Sequence, residues 1–157
     1  MKIQKFKKND VVEVAHLIKR TYAKYNYKDG SKKAIQRYLN LYDPKMNLKR
    51  IKEWFFKDTI FYVALSKNKI IGVVRGNKNR IWNLYVDGSY HRKGIGQKLM
   101  ANFEKEAQLQ GSKIIHLRSS LFAVPFYEKL DYKKTTGIRK SQLLLNLKYQ
   151  PMAKKLK

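Results

Sequence analysis
The chain has no cysteine. Disulfides and thiolate metal sites are therefore excluded. Histidine is scarce, and His16, His91 and His116 are scattered without metal-ligand spacing, so no metal is expected. Acidic residues are scarce too, with 11 Asp and Glu against 36 Lys and Arg. No apolar run reaches bilayer-spanning length, so no membrane partner is expected. The opening MKIQKFKKND is basic but lacks the apolar core of a signal peptide. A soluble, cytoplasmic protein is the expectation. Internal repeats, linkers and low-complexity stretches are absent, and 157 residues suit one domain with one core.

What is abundant is positive charge, a formal net +25. That balance fits an anionic partner: nucleic acid, a ribosome or a polyphosphate cofactor. It equally fits a lysine-rich composition bias, because the excess is spread along the chain rather than striped. Under either reading, non-specific binding to nucleic acid at low salt is expected.

Residues 2–6 alternate apolar and polar as a short strand does. Asn9 or Asp10 then caps a helix, with Glu13 at capping-box distance from Asp10. Val11, Val14, Ile18 and Tyr22 form its apolar stripe. Ser31 starts a second helix that ends near Leu41, before Asp43-Pro44. Leu48, Ile51, Trp54 and Phe55 recur at helical spacing. Residues 60–66 and 69–75 read as strands joined by Lys67-Asn68, a two-residue hairpin turn without the preferred glycine. A third strand, 81–86, leads into His91-Arg92-Lys93-Gly94-Ile95-Gly96. Ile95, Leu99, Phe103 and Ala107 then mark a long helix that stops at Gly111. A strand over 113–118, a helix over 121–130, and strands over 131–136 and 142–147 follow. The residues from Pro151 to Lys157 read as a loose basic tail.

The basic Gly-x-Gly between a strand and a helix has a physical use. The first turn of a helix leaves its N–H groups unpaired, at the positive end of the macrodipole. Glycines let an anion approach that backbone closely, which makes a phosphate cradle. A P-loop would need Gly-x-x-x-x-Gly-Lys-Ser/Thr, and that spacing is absent. A dinucleotide fingerprint would need a small residue where Leu99 stands. An ordinary tight strand-to-helix turn remains open on these residues alone.

The stretch His91-x-x-Gly94-x-Gly96 resembles the acetyl-CoA loop of the GNAT family of acyl-CoA N-acyltransferases, Gln/Arg-x-x-Gly-x-Gly/Ala, with His91 in place of Gln or Arg. A second stretch, Ser120-x-x-Ala123-x-x-Phe126-Tyr127 followed by Asp131-Tyr132, resembles that family's Asn-x-x-Ala-x-x-Phe-Tyr-x-x-x-Gly-Phe. Ser120 replaces Asn and Asp131 replaces Gly. The two motifs lie one helix and one strand apart, as they do in the family. The resemblance is good from Phe61 to Leu147, and before Phe61 it extends only to the order of elements.

The resemblance implies a mixed α/β fold: a mostly antiparallel central sheet of about seven strands with helices on both faces, in the order β-α-α-β-β-β-α-β-α-β-β. Residues 1–59 would shape the acceptor side, 60–150 would form the acetyl-CoA-binding core, and 151–157 would be the tail. It implies an N-acetyltransferase that passes an acetyl group from acetyl-CoA, as co-substrate, to a primary amine in a ternary complex. Arg92, Lys93, Gly94, Ile95, Gly96 and Gln97, with His91, would hold the pyrophosphate. Leu84, Tyr85 and Val86 would line the pantetheine arm. Ser120, Ala123 and Phe126 would form the far wall, and Tyr127 would protonate the leaving thiolate. The 81–86 strand must part from its following neighbour to admit the thioester, and a bulge near Leu84 would achieve that.

No general base is legible. Asp87, Glu53 and Asp58 are the carboxylates in range, each of which also reads as an ordinary surface or capping charge, and a water chain would serve as well. The aromatics Tyr22, Tyr25, Tyr27, Tyr38, Tyr42, Trp54, Phe55 and Phe56 read first as core stripes of two helices, and otherwise as walls of an acceptor pocket. The amine is not named by the sequence. Positive charge argues against polyamines and for acceptors bearing a carboxylate or phosphate. Monomer and homodimer both stay open. The competing functions are a basic nucleic-acid- or ribosome-associated protein on the same scaffold, and a regulatory acetyl-CoA-binding domain without turnover.

Overall fold
A computed structural model describes residues 1–157. The alternating start of the chain forms an edge strand, β1 (Lys2–Lys5), and helix α1 (Val11–Tyr25) follows a short 3-10 turn. The expected Asp10–Glu13 capping box does not form. The Asp10 carboxylate instead accepts from the Lys7 N–H at 2.8 Å. Glu13 reaches across to accept the Ile70 N–H at 2.7 Å, where the strand register slips. Ser31 does cap α2 (Lys32–Leu41), its hydroxyl accepting from the Ala34 N–H at 3.1 Å. Asp43 caps α3 (Pro44–Lys57) through the Lys45 N–H, with Pro44 in the first turn, where its missing N–H costs nothing.

Strands β2 (Ile60–Ser66) and β3 (Lys69–Asn77) make the expected hairpin. Lys67 and Asn68 both take positive φ, 50° and 61°, so the turn has the primed geometry that matches strand twist, even without glycine. Strand β4 (Arg80–Val86) follows antiparallel, and α4 (Ile95–Leu109) ends as expected at Gly111. There the N–H groups of Gly111 and Ser112 donate back to the carbonyls of Gln108 and Ala107, both at 2.9 Å. Next come β5 (Ile114–Ser119) and the short α5 (Val124–Lys129).

The last quarter departs from the sequence reading. The expected strand over 131–136 shrinks to β6 (Lys133–Lys134), and 142–147 is mostly a 3-10 turn after a three-residue β7 (Arg139–Ser141). The supposed loose tail is part of β8 (Leu147–Lys155), which pairs with β5 over six registers and with β6 and β7 on its other side. Pro151 and the lysines disguise this strand, while Leu147, Gln150 and Met152 give it its buried positions.

The sheet therefore has eight strands rather than about seven, in the order β1-β2-β3-β4-β5-β8-β6, with β7 on β8. All pairs are antiparallel except β4–β5. On one face Leu99 and Phe103 of α4 pack with Ile71, Val74 and Ile115. On the other, Leu17, Ile18, Ile51 and Phe55 pack with Val63 and Val73. Each such side chain contributes roughly 1.5–3 kcal/mol by leaving water, which is why the helices stay on both faces. No helix is long and apolar enough to cross a membrane.

Candidate active site
The parallel pair β4–β5 is joined at only two positions, Arg80–His116 and Ile81–Leu117. Beyond them β4 stays paired with β3 out to Val86, and β5 stays paired with β8 out to Ser119. The sheet forks there. A bulge does accompany the fork, but at Trp82 rather than near Leu84: the β3–β4 register slips between Arg75 and Gly76. The extra residue breaks the inside–outside alternation. Trp82 is half exposed, Leu84 and Val86 face the α4 side, and Asn83 and Tyr85 face α1 and α2.

At the head of the fork the loop enters α4 through Gly94, whose φ of 76° favours glycine. The first intrahelical bond runs from the Lys98 N–H to the Gly94 carbonyl, at 3.0 Å. The N–H groups of Ile95, Gly96 and Gln97 have no backbone acceptor. Arg92, Lys93, Gln97 and Lys98 are exposed around them. This is a donor set fit for a pyrophosphate. Gly96 is small for a second reason: a Cβ there would lie 3.1 Å from the Phe126 ring. The His91 imidazole is otherwise engaged than expected. Its Nε2 is 2.6 Å from the Val86 carbonyl and its ring lies against Tyr25, so it ties the loop to the end of β4.

Across the fork, Ala123, Phe126 and Tyr127 pack in the same cluster as Leu84 and Val86. The Ser120 hydroxyl accepts from the Ala123 N–H at 3.3 Å and so shapes this wall. The Tyr127 ring sits edge-on to Phe126 and Tyr132. Its hydroxyl has no protein hydrogen bond, yet no occluded side-chain polar atom lacks a partner, so the hydroxyl is open at its tip. Burial pushes its pKa well above the ordinary phenol value. Thus Leu84, Val86, Ala123, Phe126 and Tyr127 are brought together, whereas the Tyr85 side chain points to the opposite face and meets Tyr38 at 3.0 Å between hydroxyl oxygens.

On that opposite face a cavity of about 630 Å³ opens beside the fork, reaching Tyr85 on β4 and Ser120 at the end of β5. Tyr22, Tyr38, Tyr42 and Trp54 wall it, so these aromatics are more than core stripes. Phe55 is core, and Tyr27 and Phe56 are exposed. A polar network forms the floor. Arg75 Nε donates to Asp58 at 2.6 Å, and Arg75 Nη1 donates to Asn83 Oδ1. The Tyr42 hydroxyl also donates to Asn83 Oδ1, and Asn83 Nδ2 donates to the Tyr38 hydroxyl. Burial outweighs the arginine at Asp58 and lifts its carboxyl to about 6. Of the other carboxylates considered, Asp87 pairs with Arg20 and accepts from the Ser89 N–H. Glu53 lies on a separate shallow groove of α3. Asp29, which the sequence did not flag, is buried in the cavity wall, accepting from Asn26, and burial raises its pKa. Arg75 was missed as well. Its one signal was a charge ending the apolar run of β3. A groove of about 750 Å³ between α4 and β8 is crossed by the Lys154–Glu104 ion pair and touches neither motif. No group of three or more His, Asp or Glu is placed to hold a metal.

Comparison with known proteins agrees with this fold. A family model described as acetyltransferase (GNAT) domain matches residues 20–156. A search of curated sequences finds no significant match. Among solved structures, a GCN5-related N-acetyltransferase from Rhodopseudomonas palustris superposes with a TM-score of 0.85 at 17% identity, covering 99% of this chain and 95% of that one. The PaiA N-acetyltransferase of Thermoplasma acidophilum, solved with coenzyme A, gives 0.76 at 20% identity, covering 99% and 98%. The aminoglycoside 6'-N-acetyltransferase of Enterococcus faecium gives 0.69 at 18%, covering 99% and 97%. The chain belongs to the GNAT family and is an acetyltransferase with acetyl-CoA as its co-substrate.

Proposed function
We propose that the chain transfers the acetyl group of acetyl-CoA to a primary amine by direct attack in a ternary complex. The observation that carries this is the fork between β4 and β5, with unpaired N–H groups at its head and the Tyr127 hydroxyl on its far wall. The pyrophosphate would sit on the N–H groups of Ile95, Gly96 and Gln97, with Arg92, Lys93 and Lys98 around it. The pantetheine arm carries two amides, so it would pair with β4 as a missing strand would. Backbone N–H groups near Leu84 and Val86 would polarise the acetyl carbonyl.

The amine nitrogen forms a bond to the carbonyl carbon, and the carbon–sulfur bond breaks. The amine must first lose a proton. Asp58 is held by Arg75 and Asp29 by Asn26, and on this reading the proton leaves through water in the cavity. The departing thiolate takes a proton from Tyr127, and the second proton, shed by the attacking nitrogen as the amide forms, returns through water to the Tyr127 oxygen. A phenol whose pKa is raised by burial remains protonated throughout the working range, so its proton is in place to hydrogen-bond the sulfur and to pass over as negative charge develops there.

Calorimetry with acetyl-CoA, followed by thiol release with a panel of amines, tests the reading. Tyr127→Phe should lower kcat about a hundredfold while the KM for acetyl-CoA changes little. Wild-type turnover in that variant would remove Tyr127 from the mechanism.

A further inference from the structure
Arg75, Asp29 and the side chain of Asp58 are the charged groups buried in this protein. The Arg75 guanidinium is held on three sides: Nε by Asp58, Nη1 by Asn83, and its face by the Phe55 ring at 4.8 Å. Nη2 donates to no protein atom. Every occluded polar side-chain atom has a partner, so Nη2 is not occluded, and Arg75 lines the aromatic cavity. A fixed guanidinium with one donor left toward a cavity is prepared for an oxygen of a ligand.

The remaining charges of the cavity point the same way. Its two carboxylates are already engaged, Asp58 by Arg75 and Asp29 by Asn26. Arg80 and Arg118 have no carboxylate partner. They flank Ile81–Leu117, the last pair before β4 and β5 part, each laid over an aromatic ring: Arg80 over Trp82 at 5.5 Å, Arg118 over Tyr149 at 4.8 Å. A polycationic acceptor would meet these cations with no free carboxylate to balance them. An acceptor that carries its own carboxylate would be drawn in at the mouth and received at Arg75.

We propose that the acceptor is a small amine that also bears a carboxylate, with an apolar or aromatic body set among the cavity tyrosines. This inference rests on the acetyltransfer reading above. Arg75 pairs with Asn83 across the ladder, one residue from Leu84. A carboxylate received at Arg75 and a carbonyl polarised near Leu84 would therefore be neighbours. Reaction converts the amine to an amide and the thioester to a thiol. The product keeps the carboxylate and loses the basic nitrogen.

The test follows thiol release from acetyl-CoA by the full chain with phenylalanine, tyrosine and β-alanine. It compares their amides, phenethylamine, tyramine, spermidine and kanamycin. The carboxylate-bearing amines should exceed their amides and decarboxylated forms in kcat/KM by about tenfold or more. Arg75→Lys keeps a cation beside Asp58 and removes Nη2. It should raise KM for the carboxylate substrate about tenfold, leave KM for its amide nearly unchanged, and leave acetyl-CoA affinity by calorimetry unchanged. Arg80→Gln, at the mouth, should act in the same direction more weakly. Equal use of amines lacking a carboxylate, preference for spermidine or kanamycin, or turnover of no carboxylate-bearing amine by a protein that binds acetyl-CoA would overturn the inference and leave acetyltransfer standing. Failure to bind acetyl-CoA would instead remove the reading beneath it.

Discussion

Asp131 occupies the position where the family motif has glycine, and its backbone explains the family's choice. Its φ is 68°, in the left-handed region, at the turn that leads α5 into Tyr132. Asp tolerates that region at a cost that glycine avoids. Asp131→Gly should stabilise the fold by at most about 1 kcal/mol, read as a higher urea midpoint. Asp58 makes a pH-dependent prediction. Its carboxyl is lifted by burial to about 6, against ~4 unfolded, so the folded chain holds the proton more tightly. The stability this gives is full below pH ~4 and is lost as pH rises through about 6. The advantage of wild type over Asp58→Asn should therefore grow as denaturation is measured from pH 7 down to pH 4. A constant difference would mean that Arg75 masks the titration. Individual residues were legible where local chemistry decides them. Ser31, Gly94 and Gly111 could be placed from spacing alone. Arg75 and Asn83 could not, because their partners, Asp58, Tyr38 and Tyr42, come from separate segments that only the fold joins.

At the scale of elements, periodicity read the strongly amphipathic pieces correctly. Helices α1 and α4 and strands β2, β3 and β4 each carry an uninterrupted apolar pattern or sit beside a decisive turn. β8 failed on both counts. Its buried residues are Leu147, Gln150 and Met152, and Pro151 with four lysines between 148 and 157 resembles a solvated tail. What makes it a strand is an exposed edge of β5 that the sequence does not announce. A chain ending at Tyr149 would lose the registers from Ser119–Gln150 to Ile114–Lys155. It would leave β5 bound to the rest of the sheet by two pairs. Such a chain should show no cooperative unfolding transition by circular dichroism, whereas a merely decorative tail would leave that transition intact. The bulge was anticipated in kind and misplaced by two residues. A register slip depends on both strands, and the β4 sequence alone gives no mark of it.

For the whole molecule the dominant quantity is +25. Four ion pairs form, and only one of them, Arg75–Asp58, is buried. Most of the positive charge faces solvent unneutralised. Affinity for an arbitrary oligonucleotide should fall at least about tenfold between 50 and 200 mM salt, as counterion release requires. Acetyl-CoA, which on the proposed reading sits on backbone N–H groups as well as side chains, should lose much less. A salt-tolerant oligonucleotide affinity exceeding that for acetyl-CoA would favour the nucleic-acid reading of the same scaffold. The overall architecture was legible because two motifs fell in order on elements that the pattern had already supplied. The acceptor side was not legible, since residues 1–59 share only element order with the family.

An ordinary open sheet has two raw borders, one at each outer strand. This one has four, because the strands that part beyond Ile81 and Leu117 expose two more in the middle of the fold. The backbone groups lining that notch remain wetted until some amide-bearing arm lies between them. On the proposed reading, the arm that fills the notch therefore has two effects: it delivers an acyl group, and it closes a seam that the polypeptide leaves unsewn.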